Sequence, residues 1–314
     1  MPTRRSFTVG AVAAAIMAEA AWAAGVAPEE SYRRFQGSAP PPPRGTVRKA
    51  YVDATWGQMH YWYAAPARAT RRPPVVFFHP NPFSGAYFKY ALEEIGRDRL
   101  AIAFDTPGYG ESAGPPEPQA MAPLMASFAT ALENLGLGRR RGKVDIAGFH
   151  TGACMAAELA AARPDLVRKV VLGGVPFWED EKREAMRAEL LVDAPLTEDG
   201  AFVMKQWRMW AASRPKLLPL ERGHELFCEA VRPGQRMWWA YYAIVNYDMR
   251  PRLADVRQPV LLVNPSGESM AVTTRKVLPL LRDGQILELP HLPHQIYDLA
   301  VEAVGQIYRD FLDG

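Results

Sequence analysis

Six short apolar runs recur along this chain between stretches of helical pattern: PVVFFH (74–79), LAIAFD (100–105), KVDIAGF (143–149), VRKVVLGG (167–174), PVLLVN (259–264) and QILELP (285–290). A strand with one wet face alternates apolar and polar residues, whereas a run apolar at nearly every position needs cover on both sides. The helical stretches between the runs supply that cover, so the pattern predicts an α/β fold built on a mostly parallel sheet flanked by helices. The segment TVRKAYVDATWGQMHYWYAAP (46–66) alternates instead, and reads as a hairpin turning at Thr55-Trp56-Gly57. Together with the six runs it makes the sheet of the eight-stranded type.

Between Pro176 and Asp248 the rhythm breaks. This stretch is helical in pattern and carries Trp178, Trp207, Trp210, Trp238 and Trp239. Falling after the sixth strand, residues 177–248 are expected to form a helical lid over the strand ends, most of its aromatics packing into a core of the lid's own. The main domain is then split into 46–176 and 249–314. A length of 314 residues accommodates one large domain with such an insertion.

The first residues have a different character. TRRSFTV (3–9) places a twin arginine ahead of Phe7, and the apolar stretch VGAVAAAIMAEAAWA (9–23) ends on the small-x-small triplet Ala21-Trp22-Ala23. In that order these features read as a twin-arginine (Tat) export signal over 1–23, cut after Ala23, and predict a periplasmic protein. Glu19 interrupts the apolar stretch, so no stable membrane insertion is expected once the signal is removed. Residues 24–45 read as a linker, because GSAPPPPRG (37–45) cannot enter a helix or sheet interior; the folded body should begin at Thr46.

Composition excludes some partners. The net charge is only +3 and no Lys/Arg cluster interleaves with aromatics, which argues against nucleic acid. The two cysteines, Cys154 and Cys228, make no disulfide framework and lack metal-ligand spacing, so both are expected as free thiols in the packing. Oligomeric state leaves no mark on the sequence.

One strand end carries chemistry. KVDIAGF runs into Gly148-Phe149-His150-Thr151-Gly152, and an alanine-rich helical stretch follows. A sharp strand-to-helix bend of the form G-x-S-x-G needs small residues where the two backbones approach, and it presents its central side chain above the carboxyl edge of the sheet. Here the central residue is His150 rather than serine.

With the strands in order, the chain resembles the α/β-hydrolase superfamily over nearly all of the part that follows the export signal. FDTPGYGES (104–112) matches the D-x-P-G-x-G-x-S loop after the fourth strand, and FFHPNP (77–82) is similar to the H-G-x-P loop, with Pro80 in place of glycine. GFHTG is the bend after the fifth strand. LLVNPSGE (261–268) puts Glu268 at the family's acid position, and LPHLPH (289–294) puts His294 at that of its histidine. The resemblance implies an α/β-hydrolase fold and a catalytic set of His150, Glu268 and His294, with Glu268 orienting His294. It also implies an oxyanion hole made by the backbone N–H groups of Asn81 and Thr151. His79, Phe83, Tyr109, Phe177, Trp178 and His291 are placed around the substrate pocket, His79 also holding its own loop by hydrogen bonds. Asp105 and Ser112 are expected to shape the strand-four turn.

His150 itself admits four readings. As a nucleophile it would take an acyl group and give an acyl-imidazole that water cleaves, kept neutral while Glu268 holds the positive charge on His294. As a base or polar anchor it would act with His294 on water, or on a substrate proton beside an oxyanion hole, which includes lyase-type or carbon–carbon cleavage. A metal reading draws two or three of His79, His150, His291 and His294 together with Glu268, but Glu268 already serves His294. A non-catalytic binding protein is the fourth, opposed by the retention of acid, base and bend together. The sequence expectation is hydrolysis of an ester or related acyl bond in a small apolar or aromatic substrate, with no cofactor and no metal ion.

Overall fold

The computed structural model describes residues 47–138, 142–191 and 196–314. The segments expected as export signal (1–23) and linker (24–45), together with Thr46, lie outside the described residues. Strands β1 (Arg48–Ala54) and β2 (Gly57–Ala64) form the antiparallel hairpin, closing with Ala54 opposite Gly57. Strands β3 (Val75–Phe78), β4 (Ala101–Phe104), β5 (Val144–Phe149), β6 (Val167–Gly173), β7 (Val260–Gly267) and β8 (Gly284–Pro293) follow. The sheet has eight strands in the order β1-β2-β4-β3-β5-β6-β7-β8, and every pairing from β4 to β8 is parallel.

Alternate residues of the central strands belong to different cores, which is why the runs are apolar throughout. Val76, Phe78, Ile102 and Phe104 face one cluster, packed by α2 (Met121–Asn134) and α3 (Thr151–Ala162). Val75, Phe77, Ala101 and Ala103 face the other, packed by α1 (Lys89–Ile95) and the C-terminal helix Val301–Asp313. Each large side chain so buried contributes about 1.5–3 kcal/mol. β8 departs from the expected pattern: most of its residues are exposed or half-buried, because it is the edge of the sheet and has one neighbour only. Its Glu288 pairs with Arg275, an edge charge of the kind that discourages further strand pairing.

Between β6 and β7 lie α4 (Asp180–Leu190), α5 (Ala201–Trp207), α6 (Leu220–Val231) and α7 (Trp239–Val245), then α8 (Met249–Asp255) leading into β7. The tryptophans do not form one separate core. Trp207 packs on Phe227 within this segment, at 5.2 Å between ring centroids, while Trp210 packs on Phe83 of the main domain at 4.9 Å. The segment is rooted by buried Arg222, whose guanidinium donates to Asp298 at 2.7 Å and to the carbonyls of Ala86 and Tyr87 at 3.0 Å. No helix among the described residues is long and apolar enough to cross a membrane.

Candidate active site

The bend after β5 puts His150 in a conformation that side chains avoid. Its φ is 52° and ψ −121°, and no other described non-glycine residue has a positive φ. Such strain costs on the order of 1–3 kcal/mol and persists where the surroundings over-determine it. Here they do. The His150 N–H donates to Gly173 O, and the α3 backbone lies hard against β3 and β5. A Cβ on Gly148 would stand 2.1 Å from Gly152 O, and one on Gly152 would stand 1.9 Å from Phe78 O.

The imidazole raised by this bend meets an acid. Glu268, at the end of β7, has no solvent exposure and accepts four hydrogen bonds. His150 Nε2 lies 2.8 Å from Oε1, Ser269 Oγ donates to Oε1 at 3.1 Å, Met270 N–H donates to Oε1 at 3.0 Å, and His294 Nδ1 lies 2.6 Å from Oε2. The two rings stand edge to face with centroids 5.1 Å apart. Gly174 makes room for this meeting, since a Cβ there would come 2.4 Å from His150 Cδ2 and 3.2 Å from the Glu268 carboxyl carbon. Glu268 meets His294 as expected and meets His150 as well, because an imidazole at the bend is long enough to reach the same carboxylate.

Burial by itself would push the Glu268 carboxyl up, but the facing His150 and His294 outweigh it and hold the group well below the usual carboxylate range. Burial would likewise lower His294, and the Glu268 charge reverses this, leaving His294 above the ordinary histidine value. An ionised carboxylate accepts only, so both bonded ring nitrogens carry protons. That leaves His150 Nδ1 and His294 Nε2 as the lone pairs of the neutral rings. The His150 and His294 side chains keep 20% and 14% of their surface exposed, enough to touch a substrate.

Thr151 follows His150 directly, and Asn81 lies in the loop after β3. Thr151 opens α3, where a helix leaves its first N–H groups without intrahelical partners. The Pro80–Asn81 peptide is fixed through its carbonyl, which accepts from Phe83 N–H at 3.1 Å and lies 3.0 Å from His79 Nδ1. His79 Nε2 accepts from Thr106 N–H at 2.9 Å, which places the ring proton on Nδ1 and so toward Pro80 O. Asn81 is also tied to the inserted segment: Nδ2 donates to Met237 O at 2.8 Å, and Tyr241 OH donates to Asn81 O at 3.2 Å.

Not every pocket assignment converges on the cluster. His79 is buried with both ring nitrogens engaged by the protein, so it holds its loop and has no nitrogen left for a ligand. His291 is exposed on β8, and neither it nor His79 falls in the group of ligand-type atoms formed by His150, Glu268 and His294. Of the four histidines expected at strand ends, two meet Glu268. Phe83 packs against Tyr87 and Trp210, while the Tyr109 hydroxyl accepts from Ala240 N–H and lies 3.1 Å from Met237 O. Phe177 and Trp178 line a small cleft, partly open to solvent, with Cys154, Ile244, Tyr247 and Met249. That cleft starts one helical turn beyond His150, and its walls do not include His150, Glu268 or His294. Cys154 is buried and its thiol is pushed up by burial, in keeping with packing.

Sequence reasoning missed Ser269, Met270 and Gly174 around the acid, and the tie from Asn81 to Met237 and Tyr241. It also missed His60, buried on β2, whose Nδ1 lies 2.7 Å from Asp105 Oδ2. Asp105 further accepts from Gly85 N–H and Glu111 N–H, and Ser112 Oγ donates to Asp105 O, so this group shapes the turn after β4.

The sequence profile described as the alpha/beta hydrolase family matches residues 75–304. The chain is 25% identical over 253 residues to the 2-(acetamidomethylene)succinate hydrolase of Mesorhizobium japonicum, covering 77% of this chain and 88% of that one. Among solved structures, bromoperoxidase from Bacillus anthracis superposes with a TM-score of 0.68 at 18% identity, over 85% of this chain and 100% of that one. The enol-lactonase from Burkholderia xenovorans LB400 does so with a TM-score of 0.64 at 16% identity, over 84% of this chain and 100% of that one. At these identities the structural likeness shows a common fold.

Proposed function

Because this chain belongs to the α/β-hydrolase family and is a hydrolase, we propose that it cleaves an ester or related acyl bond of a small, apolar substrate by direct attack of water, using His150, Glu268 and His294. The observation that carries this reading is the bonding of both imidazoles to one buried carboxylate. His150 Nε2, the tip of the ring, is occupied by Glu268. Only Nδ1, crowded by its own Cβ, would remain to accept an acyl group, so the geometry supports a base or an anchor better than a nucleophile.

His294 Nε2 then takes a proton from water as the water oxygen bonds to the acyl carbon, and His150 Nδ1 accepts a hydrogen bond from the same water. The negative charge moves to the carbonyl oxygen, where Asn81 and Thr151 N–H groups stabilise it, each such donor contributing roughly 2.7–4 kcal/mol. Glu268 stabilises the imidazolium formed on His294, which returns its proton to the leaving group as the acyl bond breaks. The products are the acid and the protonated leaving group. The name of the Mesorhizobium relative, which contains an acetamido group, supports including amide-type acyl bonds. The proposed apolar or aromatic group rests on the aromatic residues the sequence brings to the strand ends, Phe83 and Tyr109 among them. Export to the periplasm belongs to the same proposal and rests on Arg4-Arg5 and the apolar stretch after them.

Turnover of short-chain aryl esters and amides by the wild type, abolished in His294→Ala and strongly reduced in His150→Ala, tests the assignment. Activity unchanged in either variant sinks it. Intact mass of the quenched reaction separates the chemistries: an acyl adduct on His150 would overturn direct water attack.

A further inference from the structure

The three side chains that hold each other through protons are also a recognisable ligand set. One nitrogen or oxygen from each of His150, Glu268 and His294 lies within 4.8 Å of the other two. Two imidazoles and one carboxylate with an open position are what zinc-class ions take in hydrolytic sites. We propose that these residues bind a divalent transition-metal ion of the zinc class, and that the ion acts as an inhibitor by displacing the two protons shared with Glu268.

Three features support binding. Ligands at about 2.0–2.2 Å around a tetrahedral ion stand roughly 3.3 Å from one another. The His–carboxylate gaps of 2.8 and 2.6 Å therefore widen by about half an ångström, and the two ring nitrogens close on each other by at most about 1.5 Å. The carboxylate has outer support, because Ser269 Oγ and Met270 N–H both donate to it, and such second partners orient a metal ligand. Both rings keep one partly exposed side, which gives the ion a way in and a water its fourth position.

The inhibition follows from proton counting and rests on the proposed hydrolysis. A neutral imidazole carries one proton. An ion on His150 Nε2 and His294 Nδ1 sends that proton to His150 Nδ1 and His294 Nε2. The nitrogens that should accept from water become donors, and the base is lost.

The test uses the full untagged chain, stripped by a chelator and dialysed against Zn²⁺ or Co²⁺, with bound metal counted by elemental mass spectrometry and the cobalt form read by visible absorption. Stoichiometric uptake is expected in the wild type and its loss in His150→Ala and His294→Ala. Ser269→Ala, which leaves all three ligands in place, should weaken binding roughly 10–100-fold. His224→Ala controls for the other neighbouring soft donors, His224 and Cys228 at 3.5 Å, and should leave uptake unchanged. Turnover should fall as the site fills and return with chelator. Wild-type protein without stoichiometric metal, or both histidine variants retaining it, overturns the site. Full occupancy with undiminished turnover overturns the inhibition alone. A chain that binds metal but hydrolyses nothing refutes the proposed function and leaves the metal site standing.

Discussion

Glu268→Gln keeps the shape of the side chain and replaces one acceptor oxygen by an NH₂ donor. Three of the four donors around the carboxylate address Oε1, and His294 Nδ1 alone addresses Oε2. The amide orientation that satisfies the larger group keeps oxygen at Oε1 and turns NH₂ toward His294 Nδ1. That nitrogen must then accept, so the single proton of the neutral ring moves to Nε2, the atom that should take a proton from water. The same acid-to-amide change in a Ser-His-Asp triad lowers kcat about 10⁴-fold, or about 5.4 kcal/mol of barrier. A loss of about 10³–10⁴-fold in kcat is expected here, with little change in KM. Folding should lose about 1.5–3 kcal/mol, one hydrogen bond to a charged acceptor. The pH profile carries a sharper signature. In the wild type Glu268 overrides the effect of burial and holds His294 above the ordinary histidine value, so activity rises with pH and levels off above that raised value. Without the carboxylate charge, burial dominates and the acid limb moves to lower pH, even as the plateau falls. Measured kcat/KM for an aryl ester across neutral pH reads both effects. A variant within about tenfold of wild-type kcat, or an acid limb that stays in place, refutes the argument.

The same groups set opposite limits on stability. Glu268 is depressed in the folded state, so its contribution is present above the ordinary value of 4.5 and is lost as pH falls through the depressed one. His294 is raised, so its contribution is present below 6.5 and is lost as pH rises through the raised value; urea midpoints should therefore peak between these limits and flatten in Glu268→Gln. Gly174→Ala places a Cβ 2.4 Å from His150 at a φ of +56°, and should cost about 1–2 kcal/mol in backbone strain while severing turnover far more than it lowers Tm. Tyr241→Phe removes the hydroxyl donated to Asn81 O, and should lower kcat by less than the ~10²–10³-fold of a lost oxyanion donor, with KM unmoved; an unaltered kcat would show that Asn81 is positioned without it.

The fold was legible because its signals are local. Val75–Phe78 and Ala101–Phe104 are apolar at every position since both faces of a parallel sheet are covered, and Gly57 closes a hairpin whose strands alternate. β8 was less legible, because an edge strand satisfies the same pattern with less burial. The bend was legible from Gly148 and Gly152, which stand where backbones nearly touch. Side-chain partnerships between distant elements were not. His60 meets Asp105 only because β2 pairs with β4, and nothing near either residue announces that pairing. The inserted segment shows the same limit: Trp207 and Trp210 lie three residues apart, yet one packs on Phe227 within the segment and the other on Phe83 of the main domain.

The substitution at the bend changes what the acid can do. A serine hydroxyl sits close to its own backbone and would leave Glu268 to the ring at 294. An imidazole at 150 carries its far nitrogen across the space left by Gly174 and takes the other oxygen of the same carboxylate. One buried charge then fixes two tautomers, with Ser269 Oγ and Met270 N–H holding the carboxylate still between them. The cost is a nucleophile, because the reaching nitrogen is no longer free. In the proposed mechanism the site gains a second lone pair, on His150 Nδ1. In that mechanism the two ring acceptors hold one water by both its hydrogens. The strained φ of His150 holds its ring at the strand end, so in the proposed mechanism the bend that ordinarily exposes a nucleophile places a base or an anchor.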